Sequence, residues 1–287
     1  MKTIATINFK GGVGKTTVTW CLGDFLATYS KSKVILFDLD AQMSLTQAIA
    51  LDAEGNSSGK FAAWYESSID HDRTIFSVLR KFLDGNLAKF QVDNGFVFRL
   101  TPNYHFVPST EQLYWLELEA PDPGKGKFFI KELLGKIENS GALPKYDYAL
   151  FDCPPSFTML SYSVLTSCDL ILIPFNPDFF AARGVGLLLA GLRHRIQPHP
   201  VPHLAVFANR ARTYSGEPTR LAGSWIADVR AACENVSKQI DLPVHFLKTW
   251  IPDRTAIRDA ITNRRTPDEL LPNFRGLWTE ATKVLGK

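Results

Sequence analysis

Residues 8–17 read Asn8-Phe9-Lys10-Gly11-Gly12-Val13-Gly14-Lys15-Thr16-Thr17, between a β-type run, Thr3 to Ile7, and a helical pattern that starts at Thr16. A strand, a glycine-rich loop and a helix in that order build an anion site. Gly11, Gly12 and Gly14 let the backbone turn tightly and aim successive N–H groups, that of Val13 included, inward. The helix N-terminus adds partial positive charge. Lys15 is placed to reach terminal phosphates and the Thr16 hydroxyl to ligate Mg²⁺, with Thr17 following in the same turn. These residue types at this spacing imply a nucleoside triphosphate with its Mg²⁺. The usual loop carries glycine six residues before its lysine, and here that position is Phe9. A second lysine, Lys10, stands at the outer lip, better placed for a nucleotide held by another subunit, as an arginine finger acts in trans.

Working outward from the loop, short apolar runs recur at Val34–Phe37, Tyr148–Phe151, Leu170–Pro174 and Leu204–Ala208. Strands buried on both faces of a parallel sheet have this composition. Helical patterns lie between them: Val18, Leu22, Phe25, Leu26 and Tyr29 share one face, as do Val185, Leu188, Leu189 and Leu192. The expected fold is α/β, a doubly wound and mainly parallel sheet with flanking helices, with ligands at the carboxyl ends of the strands. One domain over residues 1–287 is expected, with a less regular, decorated region at about 50–145. Within it, 52–68 reads as a surface loop, Ile75–Leu83 as a helix, Phe96 to Leu100 as a strand and His105–Val107 as another. A second loop at Pro121–Lys127 leads into a helix through Ile137.

The composition, 45% hydrophobic and 21% charged, is that of a soluble globular protein, and no apolar run is long enough to span a bilayer. The chain opens directly on a strand-type run, so no signal peptide is expected. Cys21, Cys153, Cys168 and Cys233 lack Cys-x-x-Cys spacing, which suits reduced thiols in a cytosol. A final helical pattern, Phe274 to Leu285, carries too sparse a basic face for a membrane-surface helix and is expected to pack on its own domain.

Two acidic segments complete the chemistry. Asp38 and Asp40 stand at i and i+2 just beyond the second strand, in Phe37-Asp38-Leu39-Asp40-Ala41-Gln42. Carboxylates there can hold the waters around Mg²⁺ and orient an attacking water. Tyr148-Ala149-Leu150-Phe151-Asp152 is an apolar run ending in an aspartate that can approach Mg²⁺, followed by Cys153-Pro154-Pro155. Thr16, Asp38 and Asp152 are therefore the candidate metal environment.

The Lys-Gly-Gly-x-Gly-Lys-Thr-Thr form of residues 10–17 resembles the deviant Walker A motif of the ParA/MinD family of P-loop ATPases. The Asp-x-Asp segment resembles that family's switch, with Ala41 replacing a proline, and Asp152-Cys-Pro-Pro resembles its Walker B and switch II. Pro108-Ser109, Ile173-Pro174 and Phe180-Ala181 also fit, whereas Arg183 stands where relatives commonly carry glutamate. The resemblance is close over 2–50 and 145–265 and loose between. It implies that Asp40 positions or activates water, with Asp38 behind it, and that Asn209 recognises adenine. It also implies that Ile251-Pro252-Asp253 closes over the base, and that Lys10 joins two subunits when ATP binds. No helix-turn-helix pattern precedes the loop, so a short, Soj-like member is expected.

Further implications are a homodimer formed on ATP, nonspecific DNA binding, and a ParB-like or adaptor partner that stimulates hydrolysis. Such a protein is cytoplasmic and nucleoid-associated, without stable membrane association. Charge points the same way. Residues 183–265 hold eleven Arg and two Lys against six acidic residues, a local +7 in a chain whose net charge is +3. Phosphate contacts need only such a basic surface. The DNA-contact candidates are Arg193, Arg195, Arg210, Arg212, Arg258, Arg264 and Arg265. The competing readings are a MinD-like membrane-associated positioning ATPase, a metallocluster carrier like the nitrogenase iron protein, and a small-molecule kinase or synthetase.

Overall fold

The computed structural model describes residues 1–51, 59–119, 123–196, 201–240, 243–257 and 259–286. Its main sheet has eight strands. In chain order these begin with β1 (Lys2–Thr6), β2 (Val34–Asp38), β3 (Phe98–Thr101) and β4 (Tyr104–Val107). β5 (Tyr148–Asp152), β6 (Leu170–Phe175) and β7 (His203–Ala208) follow. A small hairpin, β8 (Thr213–Tyr214) with β9 (Glu217–Pro218), precedes the last sheet strand, β10 (Val244–Phe246). The spatial order is β10-β7-β6-β1-β5-β2-β4-β3, parallel throughout except for the antiparallel β3–β4 pair at one edge.

The helices are α1 (Lys15–Thr28), α2 (Ser44–Ala50), α3 (Gly59–Asp70), α4 (Ile75–Leu83) and α5 (Gln112–Glu119). They continue with α6 (Phe129–Asn139), α7 (Met159–Leu165), α8 (Ala181–Gly191), α9 (Arg220–Ile240) and α10 (Leu271–Val284). They cover both faces, and strand alternation divides the core accordingly. Ile4, Leu36 and Leu150 face the layer of α1 and α10, whereas Ala5, Phe37 and Phe151 face the layer of α6, α7 and α8. Continuous apolar runs in the central strands thus serve two cores at once, as a sheet sandwiched between helices requires.

Three elements differ from expectation. Of the expected loop at 52–68, residues 52–58 lie outside the described residues, but from Gly59 the chain is helical. Its aromatic residues explain this: Phe61 is buried against Phe98 and Phe106, Trp64 Nε1 donates to the Gly95 carbonyl, and Tyr65 Oη donates to that of Ser109. Phe96 belongs to a single tight turn capped by Asp93, and the strand begins only at Phe98. The 21-residue α9 lies where no element was expected, because its buried Ala222, Val229 and Cys233 are spaced among many charged neighbours.

The C-terminal helix begins at Leu271, with Pro272 in its first turn where a missing N–H costs nothing. Phe274, Leu277 and Ala281 are buried, and Trp278 stacks edge-on against Tyr148 at 5.1 Å. Its apolar face is therefore covered by its own sheet. Among the described residues no helix is long and apolar enough to cross a membrane.

The α1 layer is packed closely enough to be tested. Tyr104 Oη donates to the Trp20 carbonyl, and a Cβ on Gly23 would lie 2.6 Å from Tyr104 Cζ. Gly23→Ala should therefore destabilise the protein, by about 1 kcal/mol, since an overpacking cost of about 1–3 kcal/mol exceeds the helix-propensity gain of about 1 kcal/mol. A urea midpoint equal to or above that of the parent would contradict the packing described.

Candidate nucleotide site

β5 lies between β1 and β2, and register then decides the site. Asp152, the last residue of β5, pairs with Thr6 of β1 on one side and with Asp38 of β2 on the other. The two acidic segments are thus brought level with the start of the glycine-rich loop at the carboxyl end of the sheet, where open α/β sheets bind ligands.

The loop runs from the end of β1 to the first turn of α1. Gly12 and Gly14 have φ of 74° and 83°, the left-handed region that side chains disfavour. At Gly14 a side chain is also barred by contact, because its Cβ would collide with the Asn209 amide nitrogen. Asn8 starts the turn, accepting from the Lys10 N–H at 2.9 Å while its own amide donates to the Pro174 carbonyl. Lys15 is only 8% exposed. Burial lowers its pKa, opposed by the nearby charges of Asp152 and Asp40.

Asp152 is held well above the usual carboxylate range by burial and by neighbouring Asp38, with the Thr16 hydroxyl and Lys15 pulling the other way. Its Oδ1 is buried and has no hydrogen-bond partner. A divalent cation, bound directly or through water beside Thr16, would satisfy that oxygen and stabilise its charge. Asp38 is placed differently. Its Oδ1 accepts from the Asp40 N–H, and its Oδ2 from both the N–H and the hydroxyl of Thr46, at 2.9 and 2.7 Å. Burial pushes its pKa up to about 6 against those bonds. Through Thr46 it pins the start of α2.

Ser109 closes this network: its N–H donates to Thr46 Oγ1 and its hydroxyl to the Asp40 carbonyl at 2.7 Å. It is completely buried, and it holds the loop that carries Asp40. The fit of Pro108-Ser109 to a family pattern gave no hint of this contact, since hydroxyl partners are set by strand order.

The two lysines of the loop part company. Lys15 points into the acidic interior, whereas the Lys10 ammonium reaches the rim and pairs with Asp178. Asp178 also caps the following turn, accepting from the Phe180 N–H at 3.0 Å. Phe9, in the place of the usual glycine, packs edge-on against Phe157 at 4.7 Å, just beyond Pro155. The departure from the common loop is therefore a contact between that loop and the segment after Asp152.

Asn209 and Arg210 reach the loop from the end of β7. The Asn209 amide donates to the Val13 carbonyl at 2.7 Å, leaving its Oδ1 buried and unpartnered. Ala211 and Pro252 form an isolated parallel bridge, and the Asp253 N–H donates to the Ala211 carbonyl. The 251–253 segment is thereby tied to the end of β7, with Pro252 buried and Asp253 half-buried.

The arginines are dispersed. Arg193 and the backbone of Arg195 lie in the turn that ends α8, at the opposite end of the sheet from Arg210 and Arg212, which follow β7. Arg264 donates to the Ile49 carbonyl on the other face, and Arg265 forks onto Asp268 at 2.7 and 2.8 Å. Arg193 and Arg212 are exposed and have no ion-pair partner among the described residues. Arg258 lies outside them. The +7 segment is not one patch on one subunit.

Comparison with known proteins agrees with these features. Residues 1–204 match a family model described as an AAA domain, AAA_31. A ParA family protein of Chlamydia pneumoniae is 30% identical over 214 residues, covering 72% of this chain and 71% of its own. The sporulation initiation inhibitor protein Soj of Bacillus subtilis is 29% identical over 203 residues, covering 69% and 67%. The ATP complex of a Cyanothece McdA variant superposes with a TM-score of 0.70 at 19% identity, over 100% of this chain and 96% of that one. With two lysines flanking one loop and Asp152 registered against it, the chain belongs to the ParA/Soj family of P-loop ATPases.

Proposed function

We propose that this chain is a ParA-like partition ATPase. It binds ATP with Mg²⁺, dimerises on that nucleotide, holds DNA nonspecifically and lets go on hydrolysis stimulated by a ParB-like or adaptor protein. The observation that carries the reading is the division between its lysines. Lys15 is buried with Asp152 and Asp40, as an in-place phosphate ligand would be, while Lys10 stands at the rim on a carboxylate. A lysine facing outward from a nucleotide loop is suited to a second subunit's nucleotide. In the dimer, Lys10 would exchange Asp178 for that nucleotide.

Within the site, Lys15 and the N–H groups of Gly11 to Thr17 hold the phosphates, and Thr16 and Asp152 hold Mg²⁺, which neutralises phosphate charge when bound. Asp40 orients the attacking water, with Asp38 and Ser109 fixing its loop. Asn209 Oδ1 can accept from the amino group of adenine, and Pro252 and Asp253 border the base. Nonspecific binding would use Arg193, Arg195 and Arg212, with the dimer bringing together arginines that one subunit keeps apart. In the cell the protein would sit on the nucleoid and segregate or position plasmid, chromosome or other cargo. The burial of the apolar face of α10 disfavours the alternative, a MinD-like ATPase that holds membranes by a C-terminal helix.

Lys15→Ala should abolish binding of a non-hydrolysable ATP analogue in calorimetry. Asp40→Ala should bind ATP normally, hydrolyse it at least about 10²-fold more slowly and accumulate as a dimer; normal turnover in that variant would refute the role. GTP should bind about tenfold or more weakly than ATP, because its carbonyl would face Asn209 Oδ1, and Asn209→Ala should narrow the gap. Duplex DNA should be bound with ATP and not with ADP, more tightly by Asp40→Ala, and with affinity falling by about tenfold or more between 50 and 200 mM salt. Binding indifferent to nucleotide or salt, or binding of anionic liposomes instead, would sink the partition reading.

A further inference from the structure

A phosphate loop works only if its peptide N–H groups face the ligand, and each such peptide must then turn a carbonyl the other way. In this chain two of those outward carbonyls are held by side chains that follow β6 and β7. Val13 O accepts from the Asn209 amide, and Gly12 O accepts from Arg210 Nη1 at 3.0 Å and more distantly from Asn176 Nδ2 at 3.3 Å. Arg210 is in turn oriented by Asp253, whose Oδ1 lies 3.3 Å from its Nε. Its backbone adopts φ 55°, a left-handed conformation that a non-glycine residue at a strand end does not take without compensation. That conformation folds the chain back, so that the side chain following Asn209 also reaches the loop. The Arg210 side chain is 35% exposed, and the residue lines a cavity of about 490 Å³ shared with Asn176, Asp178, Trp225 and Asp253.

We infer that Arg210 is a positioning residue for the phosphate loop rather than a DNA contact. With Asp253 as its brace it fixes the Gly12 carbonyl outward. The Val13 N–H, which shares that peptide, is then presented to the phosphates. The same bridge ties the segment expected beside the base to the loop that holds the phosphates.

The inference rests on the ATP reading of the loop, so wild-type protein must first bind the analogue AMPPNP; if it does not, that reading fails and not this one. Full-length Arg210→Gly, which removes the side chain without backbone strain, and Arg210→Ala are compared with Arg210→Lys and Asp253→Asn. Removal should raise the AMPPNP dissociation constant about tenfold. It should also speed amide hydrogen exchange across Gly11–Lys15 in nucleotide-free protein. Arg210→Lys should recover part of the affinity, since it keeps a donor for Gly12 O but loses the fork to Asp253. In the exchange measurement, Asp253→Asn combined with Arg210→Gly should speed Gly11–Lys15 no further than Arg210→Gly alone. DNA affinity at saturating ATP should stay within about twofold of wild type. Unchanged nucleotide affinity and loop exchange would overturn the inference. So would a loss of DNA affinity with a shallower salt slope, which would make the guanidinium a DNA phosphate contact.

Discussion

The whole site hangs on the parallel pairing of β5 with β1 and β2. Backbone hydrogen bonds set Asp152 level with Thr6 and Asp38, and a shift by one residue would turn each aspartate to the opposite face of the sheet. Cores on both faces resist that shift, because Phe37 and Phe151 stack at 4.9 Å in one layer while Leu36 and Leu150 fill the other. Packing far from the nucleotide thus places the carboxylates that would serve it.

Two buried aspartates side by side are costly, and their surroundings give them different tasks. Thr46 and the Asp40 N–H engage both oxygens of Asp38. Asp152 keeps one oxygen unpartnered beside Lys15 and Thr16. A buried carboxylate with an unsatisfied oxygen is favourable only when a cation or a proton completes it. A divalent cation beside Thr16 would complete the Asp152 carboxylate in that way. The loop itself is braced from behind, its outward carbonyls at Val13 and Gly12 accepting from Asn209 and Arg210.

The rim carries a different kind of interaction. Lys10 and Asp178 are each more than a third exposed, so their attraction is screened and weak enough to exchange. Next to them, Phe179 and Phe180 are 71% and 64% exposed. A buried lysine for holding and a loosely paired one for reaching would suit the proposed alternation between one subunit and two.

Residues 8–17 by themselves specified an anion loop, because glycine spacing and two lysines leave little else that such a strand–loop–helix could do. The apolar runs at 34–37, 148–151, 170–174 and 204–208 likewise announced a sheet buried on both faces, and each appears as a strand extended by a residue or so. Local chemistry sufficed there, since turn conformation and burial are written in neighbouring residues. What the tertiary structure alone decided is who meets whom. Sequence could not show that β5 separates β1 from β2, that Ser109 secures the Asp40 loop, or that Phe9 meets Phe157. It could not show that Arg210, read from charge as a DNA contact, turns inward to Gly12 and Asp253. Helix α3 was hidden because its aromatic side chains have meaning only against Phe98 and Phe106, and the +7 segment looked like one patch because separation along a chain says nothing about which end of a sheet a residue occupies. Strand order and register are long-range properties, fixed by the simultaneous burial of both faces, and no local pattern encodes them.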